Sequence, residues 1–220
     1  MFTGIIEELG VIKNIKKEEQ AIEMTVSANE ILRDVKMGDS IAVNGVCLTV
    51  TDFTNEYFTV DIMPETVKAT SLKMLNVGSK VNLERSMHAN GRFGGHFVSG
   101  HVDGIGKIVE KNRVANAVYY KIEVPPTLSH LFMLKGSVAI DGTSLTVFGV
   151  EQNVITISLI PHTLTNTVIG DKKEGDIVNI ECDMLAKYVV NMLSNNVSQF
   201  KKDRSNISED FLKDNGFINS

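Results

Sequence analysis

The chain has 220 residues, 43% of them hydrophobic and 22% charged, with a formal net charge of −5. That length accommodates one large domain or two of about 100 residues each, and the residue balance is that of a soluble globular protein. Basic residues never run longer than a pair, as at Lys201-Lys202, which argues against a nucleic-acid or anionic-membrane surface, because both need clustered Lys and Arg. Cys47 and Cys182 allow at most one disulfide, and their spacing suggests neither a metal site nor a disulfide framework. The first residues lack the charged and apolar regions of a signal peptide, and no apolar run approaches the ~20 residues of a membrane helix. The expectation is a cytoplasmic protein with reduced thiols.

In chain order, the first segment is "FTGIIEELGVI" (2–12), and it returns as "VSGHVDGIGKI" (98–108), with Gly4 on Gly100, Ile6 on Val102, Glu7 on Asp103 and Gly10 on Gly106. Next comes "IAVNGVCLTVTDF" (41–53), which returns as "VAIDGTSLTVFGV" (138–150). Both are β-branched runs broken by Asn-Gly or Asp-Gly, a strong signal for a tight hairpin. The strand candidates "YFTVDIM" (57–63) and "VITISLI" (154–160) each end at a proline, which cannot continue a ladder. "MPETVKAT" (63–70) and "IPHTLTNT" (160–167) predict short helical turns after Pro64 and Pro161, and another is expected near "PPTLSHL" (125–131). "GSKVNLE" (78–84) returns as "GDIVNIE" (175–181). All four matches keep their order at a separation of 96 or 97 residues, so the chain is a duplicated unit.

Many short strands at roughly ten-residue spacing predict an all-β protein of two small closed barrels, since closure removes exposed edges. The units are residues 1–97 and 98–187. The segment "MHANGRFGGHF" (87–97) bridges them, and its "GRFGGH" is read as a flexible linker, because it lacks the Lys and the strand-to-helix setting of a phosphate loop. A third part, 184–220, begins after Asp183, which reads as an N-cap for "MLAKYVVNML". Leu185, Tyr188, Val189, Met192 and Leu193 fall on one helical stripe, suited either to packing on its own barrel or to association with other subunits. The tail after Ser194 is polar and expected to be loosely ordered, with "ISEDFLKDNGF" (207–217) as a short helix.

The usual catalytic motifs are absent from the sequence. The repeated cassettes "NGVCLTV" (44–50) and "DGTSLTV" (141–147) carry more. Strand alternation puts Cys47 and Thr49 on one face with Leu48 on the other, and likewise Ser144 and Thr146 against Leu145. Two small polar groups side by side suit a flat, hydrogen-bonding heterocycle. Gly4 and Gly100 allow a ligand close to the backbone, and the loops at Pro64-Glu65-Thr66 and Pro161-His162-Thr163 offer free N–H groups. Two related pockets follow. They are unequal: Ile5 becomes His101, Cys47 becomes Ser144 and Glu65 becomes His162, which fits a reaction in which two copies of one molecule play different parts. His101 is the candidate for proton transfer, or else a histidine that simply starts a strand.

The motifs "MFTGIIEELG", "NGVCLTV", "MPET", "GGHFVSGHVDG", "DGTSLTV", "LIPHTL" and "VNIECDMLAKYV", spread from Met1 to about Met192, resemble those of the riboflavin synthases, the two-barrel lumazine-binding family. The resemblance implies two tandem six-stranded Greek-key barrels of the flavin-reductase-like kind plus a C-terminal helix. It implies a homotrimer, with an active site between barrels of different subunits, and for some relatives a lumazine synthase capsid as partner. The implied reaction is a transferase reaction: one 6,7-dimethyl-8-ribityllumazine donates a four-carbon unit to another, giving riboflavin and 5-amino-6-ribitylamino-2,4-pyrimidinedione with no metal or redox cofactor. Carried over by position, one pocket uses Gly4, Ile5 and Ile6, then Cys47, Leu48 and Thr49, then Asp61, Ile62, Met63, Pro64, Glu65 and Thr66. The other uses Gly100, His101, Val102 and Lys135, then Ser144, Leu145 and Thr146, then Ser158, Leu159, Ile160, Pro161, His162 and Thr163. His101 and Ser144 are assigned to proton movement at the donor's methyl group. Cys47, with Ser40 and Thr49, is assigned to addition at the acceptor. The pattern leaves open which pocket holds the donor.

Two other readings compete. A lumazine-binding antenna protein shares the fold and does no chemistry, but a one-site antenna has no need of the second cassette. A flavin-reductase-like barrel would call for a nicotinamide-binding domain, for which the chain ends too soon.

Overall fold

The structure is a computed structural model that describes residues 1–17, 21–202 and 209–217. Two compact units, Met1–Ala186 and Lys187–Ser220, make up the chain.

The first unit holds both barrels. Strands β1 (Glu8–Lys17), β2 (Ile22–Ser27), β3 (Ser40–Val43), β4 (Val46–Phe53), β5 (Tyr57–Ile62) and β6 (Lys80–Arg85) close in the order β1-β2-β5-β4-β3-β6. Strands β7 (Gly104–Val114), β8 (Ala117–Glu123), β9 (Ser137–Ile140), β10 (Thr143–Glu151), β11 (Val154–Leu159) and β12 (Ile177–Cys182) close in the same order. Because β5 returns to β2 past the β3–β4 hairpin, each barrel is a Greek key. Short helices α1 (Pro64–Ala69) and α2 (Pro161–Asn166) follow β5 and β11, each with proline in its first turn, where the missing N–H is not needed.

Alternation along the strands explains the closure. In β5, Phe58, Val60 and Ile62 are buried, and in β11 Ile155, Ile157 and Leu159 are. They join Ile12, Val26, Ile41, Val81 and Leu83 in one core, and Ile108, Ile122, Val138, Val178 and Ile180 in the other. Each such aliphatic side chain contributes about 1.5–3 kcal/mol relative to exposure. The repeat extends to irregularities. The register shifts between Ile12 and Asn14 and between Val50 and Asp52 in the first barrel. It shifts again between Ile108 and Glu110 and between Val147 and Gly149 in the second. These are equivalent positions, where a bulge turns the strand and tightens the barrel's curvature.

The C-terminal part is helical, with α3 (Met184–Lys202) and α4 (Glu209–Asp214). Asp183 caps α3 as its sequence predicted, its Oδ1 accepting the Leu185 N–H at 2.9 Å. The helix runs on well past Ser194, where a loose tail was expected, because no Gly or Pro interrupts 195–202 and a capped helix propagates readily. Leu185, Tyr188, Val189, Met192 and Leu193 are 55–65% exposed. The residues 203–208 and 218–220 of the predicted tail lie outside the described residues. No helix among the described residues is long and apolar enough to cross a membrane.

Candidate functional site

Each cassette strand starts at a two-residue turn. Asn44 and Gly45 have φ of 46° and 78°, Asp141 and Gly142 of 44° and 80°, the all-positive pattern of the type I′ hairpin. The two turns meet face to face. Around them four side chains form a pseudo-symmetric lattice. Asn82 Nδ2 donates to the Asp141 carbonyl and Asn179 Nδ2 to the Asn44 carbonyl, both at 2.8 Å. Asn82 Oδ1 accepts the Val168 N–H at 2.8 Å, and Asn179 Oδ1 accepts the Ser71 N–H at 2.6 Å. Asn44 and Asp141 in turn accept the N–H groups of Asn82 and Asn179, each at 2.8 Å. All four residues are buried, and buried polar groups hydrogen-bonded across the two barrels in this way favour one relative placement of them.

Symmetry is broken at one atom. Asp141 replaces Asn44, and burial raises its carboxyl pKa, opposed by Lys172, whose ammonium lies 3.3 Å away.

The segments that lead into the barrels cross. Phe2 and Val98 form an antiparallel bridge, the Phe2 N–H donating to the Val98 carbonyl at 2.7 Å and the Val98 N–H returning at 3.2 Å. Beyond the crossing, Glu84 receives the Thr3 N–H at 2.7 Å, the Thr3 hydroxyl at 2.8 Å and the Gly4 N–H at 2.9 Å. Glu181 receives the Ser99 N–H at 2.6 Å, the Ser99 hydroxyl at 2.7 Å and the Gly100 N–H at 3.0 Å. Burial raises the Glu84 pKa against these donors.

The carbonyls then go to the opposite barrel. Ser144 N–H donates to the Gly4 carbonyl at 2.7 Å, and Cys47 N–H to the Gly100 carbonyl at 2.9 Å. A Cβ on Gly4 would stand 2.6 Å from Ser144 Cβ, and one on Gly100 2.6 Å from Cys47 Cβ. This corrects the grouping by barrel. Gly4, Ile5 and Ile6 lead off from the Ser144 cassette, whereas Gly100, His101 and Val102 lead off from the Cys47 cassette. The repeat pattern aligns equivalent positions and carries no information about which copies touch.

The remaining candidates sort by exposure. Leu48, Ile62 and Leu159 are core residues, so only their backbones can face a ligand. Cys47 and Ser144 are half-buried, while Thr49, Thr146, His101, Lys135, Asp61, Met63, Glu65, Ile160, Pro161 and His162 are exposed. Ser40 lies opposite Thr49 across the β3–β4 ladder, as Ser137 lies opposite Thr146. The stretches 61–66 and 158–163 leave the sheet from strands β5 and β11, which neighbour the cassette strands. Surface cavities of about 260–660 Å³ touch Ser40, Asn44, Asp61, Ile62 or Pro64, and none of the four includes Cys47 or Ser144. Thr49 and Thr146 are exposed beside half-buried Cys47 and Ser144, so each cassette presents an accessible wall.

The stretch read as a flexible linker is pinned at its second half. His96 N–H donates to the Thr3 carbonyl at 3.1 Å, and His96 Nδ1 lies 2.7 Å from Ser144 Oγ. A Cβ on Gly95 would be 2.0 Å from the Thr3 carbonyl oxygen, so these glycines serve close approach rather than mobility. His96, Asn82, Asn179, Glu84 and Glu181 were given no role by the sequence reading. The last four had a signal, the repeated "VNLE" and "VNIE"; His96 had none.

Residues 3–86 and 99–183 each match the family described as "Lumazine binding domain", so the chain belongs to the proteins built from such domains. Its relatives narrow the branch. It is 56% identical to riboflavin synthase of Bacillus subtilis, over 99% of this chain and 100% of that one, and 50% identical to riboflavin synthase of Actinobacillus pleuropneumoniae at the same coverage. Among solved structures it resembles LumP complexed with 6,7-dimethyl-8-(1'-D-ribityl) lumazine, with a TM-score of 0.75 and 26% identity over 83% of this chain and 99% of that one. LumP complexed with riboflavin gives 0.77 at the same identity and coverage.

Proposed function

We propose that the chain is an enzyme that dismutates two molecules of 6,7-dimethyl-8-ribityllumazine. One molecule gives up a four-carbon unit to the other, yielding riboflavin and 5-amino-6-ribitylamino-2,4-pyrimidinedione. The reaction balances without an oxidant or reductant, since what one molecule loses the other gains. The observation that carries this reading is the pair of chemically unequal cassettes, each bordered by a glycine segment of the opposite half. Two like pockets with unlike side chains suit two copies of one substrate that must react differently. Orientation can supply ~7–11 kcal/mol of barrier lowering, which fits walls of Gly backbone, Ser, Thr and Cys. In this proposal His101 and Ser144 move the proton of the donor's methyl group, and Cys47, with Ser40 and Thr49, assists addition at the acceptor.

The exposure of Thr49, Thr146 and His101 beside the cassettes supports completion of each site by a barrel of another subunit. We assign the homotrimer to the exposed stripe of Leu185, Tyr188, Val189, Met192 and Leu193, a contiguous apolar face of the kind that marks association. A cytoplasmic location, and docking within a lumazine synthase capsid, belong to the same proposal.

The test is to mix the purified protein with the lumazine, without added cofactor. Riboflavin forming at half the rate of lumazine loss establishes dismutation. Tight binding without conversion would establish the binding-only reading, which the resemblance to LumP favours at much lower identity.

A further inference from the structure

His96 is a buried titratable side chain, hydrogen-bonded to a cassette residue, that the proposed chemistry leaves unused. The residue is 8% exposed. Nδ1 meets Ser144 Oγ at 2.7 Å, while Nε2 is buried with no hydrogen-bond partner among the described residues. The geometry is rigid on both sides. The ring's backbone is tied to Thr3, Gly95 is pressed to where a Cβ would stand 2.8 Å from Ser144 Cβ, and Ser144's own N–H is committed to Gly4. Among the described residues no histidine is hydrogen-bonded to Cys47, so this contact adds to the inequality of the cassettes.

We propose that His96 is a positioning residue, held as the Nδ1–H tautomer, that donates to Ser144 Oγ and so turns the serine hydroxyl hydrogen toward the pocket. This deepens the reading of Ser144 given above and rests on it for its catalytic consequence. A neutral imidazole has one N–H and one bare nitrogen. The alternative tautomer would leave a buried N–H donor without an acceptor, and orphaned buried donors are rarer than orphaned acceptors. Once Oγ accepts from Nδ1, its hydrogen needs an acceptor, and Oγ makes no second hydrogen bond among the described residues. Ser144 is half-buried rather than enclosed, so a carbonyl or ring nitrogen of a bound heterocycle can take that hydrogen. Ser144 then assists proton movement at the donor's methyl group by donating to the negative charge that develops on the ligand as the proton leaves.

The charged group that acts on the ring is Asp183, which favours the imidazolium. Burial outweighs Asp183 and lowers the His96 pKa, which keeps the ring neutral at pH 7.

Two measurements on the full chain decide the matter. The ¹⁵N imidazole spectrum, with His96 assigned by its loss in His96→Asn, should show a protonated Nδ1 and a bare Nε2, both shifting in Ser144→Ala. An Nε2–H tautomer, or a spectrum blind to Ser144→Ala, overturns the proposal whether or not the protein converts lumazine. In the conversion assay, His96→Leu should lower kcat by ~10- to 100-fold with KM within about 3-fold. His96→Asn, whose amide nitrogen reaches about where Nδ1 sits, should restore most of it. In the Ser144→Ala background the His96→Leu change should cost no further kcat. Equal losses in both backgrounds would mean that His96 serves only the fold. No conversion by the unaltered protein would instead sink the dismutation reading and leave the tautomer to the spectrum.

Discussion

Gly45 and Gly142 stand so close that a Cβ on the first would lie 2.6 Å from the Gly142 nitrogen, and one on the second 2.7 Å from the Gly45 nitrogen. Both are also in left-handed backbone, where an L side chain costs about 1–2 kcal/mol. The contact is the point about which the two halves are related. Gly142→Ala should therefore destabilise the fold by about 2–4 kcal/mol, backbone strain adding to overpacking. Denaturant unfolding measures this. A loss below 1 kcal/mol would show that the turns separate easily.

Asp141 invites a comparison within the molecule, because its counterpart is Asn44. Its carboxyl pKa is raised, by burial first, against the pull of Lys172. A carboxyl raised in this way favours the folded chain below its unfolded value near 3.8, and the advantage is lost as pH rises through the folded pKa. Asp141→Asn keeps an acceptor for the Asn179 N–H and removes a buried charge. The stability of the variant relative to the parent should rise between pH 4 and pH 7, because only the parent loses the advantage of its protonated carboxyl over that range, while loss of the partner of Lys172 offsets both ends alike. Thermal melts across that range check it; a difference that stays flat or falls with pH contradicts the assignment.

Phe2 is fully buried and packs with Ala42, Val98 and Ala139 in a cluster of its own at the crossing. Phe2→Ala should cost about 3–5 kcal/mol. It should also abolish conversion at temperatures where the variant is still folded, because the bridge to Val98 sets the position of Gly4 and Gly100. Circular dichroism and the conversion assay on one preparation separate the two effects. Full activity in a destabilised variant would detach the crossing from the site.

His101 is exposed at the end of its segment, its N–H donating to Ser99 Oγ at 3.2 Å. His101→Gln should lower turnover by ~10²- to 10⁴-fold while lumazine binding, read by fluorescence titration, changes little. Parallel losses in both would return His101 to a positional role.

Much of this architecture was legible in the residues. The repeat, the Asn-Gly and Asp-Gly turns, the strands ended by Pro64 and Pro161 and the Asp183 cap are local signals, each with a short-range cause. The exchange of segments was not, since Gly4 meets Ser144 across 140 residues of chain and no local propensity reports that. Nor was His96 legible, because a histidine after two glycines reads as linker until the Thr3 carbonyl is seen against it. Asn82 and Asn179 occupy the middle ground. Their recurrence was visible, but the lattice they form requires the second barrel to be in place.

The crossing at Phe2 and Val98 also bears on ancestry. A single unit with one leading segment and one cassette could place its segment only on a second copy of itself, about a true two-fold axis. Both cassettes would then be encoded by the same codons, and every substitution would appear in both pockets at once. Joining two copies in one chain removes that constraint without altering a contact. The cysteine of one cassette and the serine of the other, with a histidine at the serine alone, are differences that no homodimer of the half could hold.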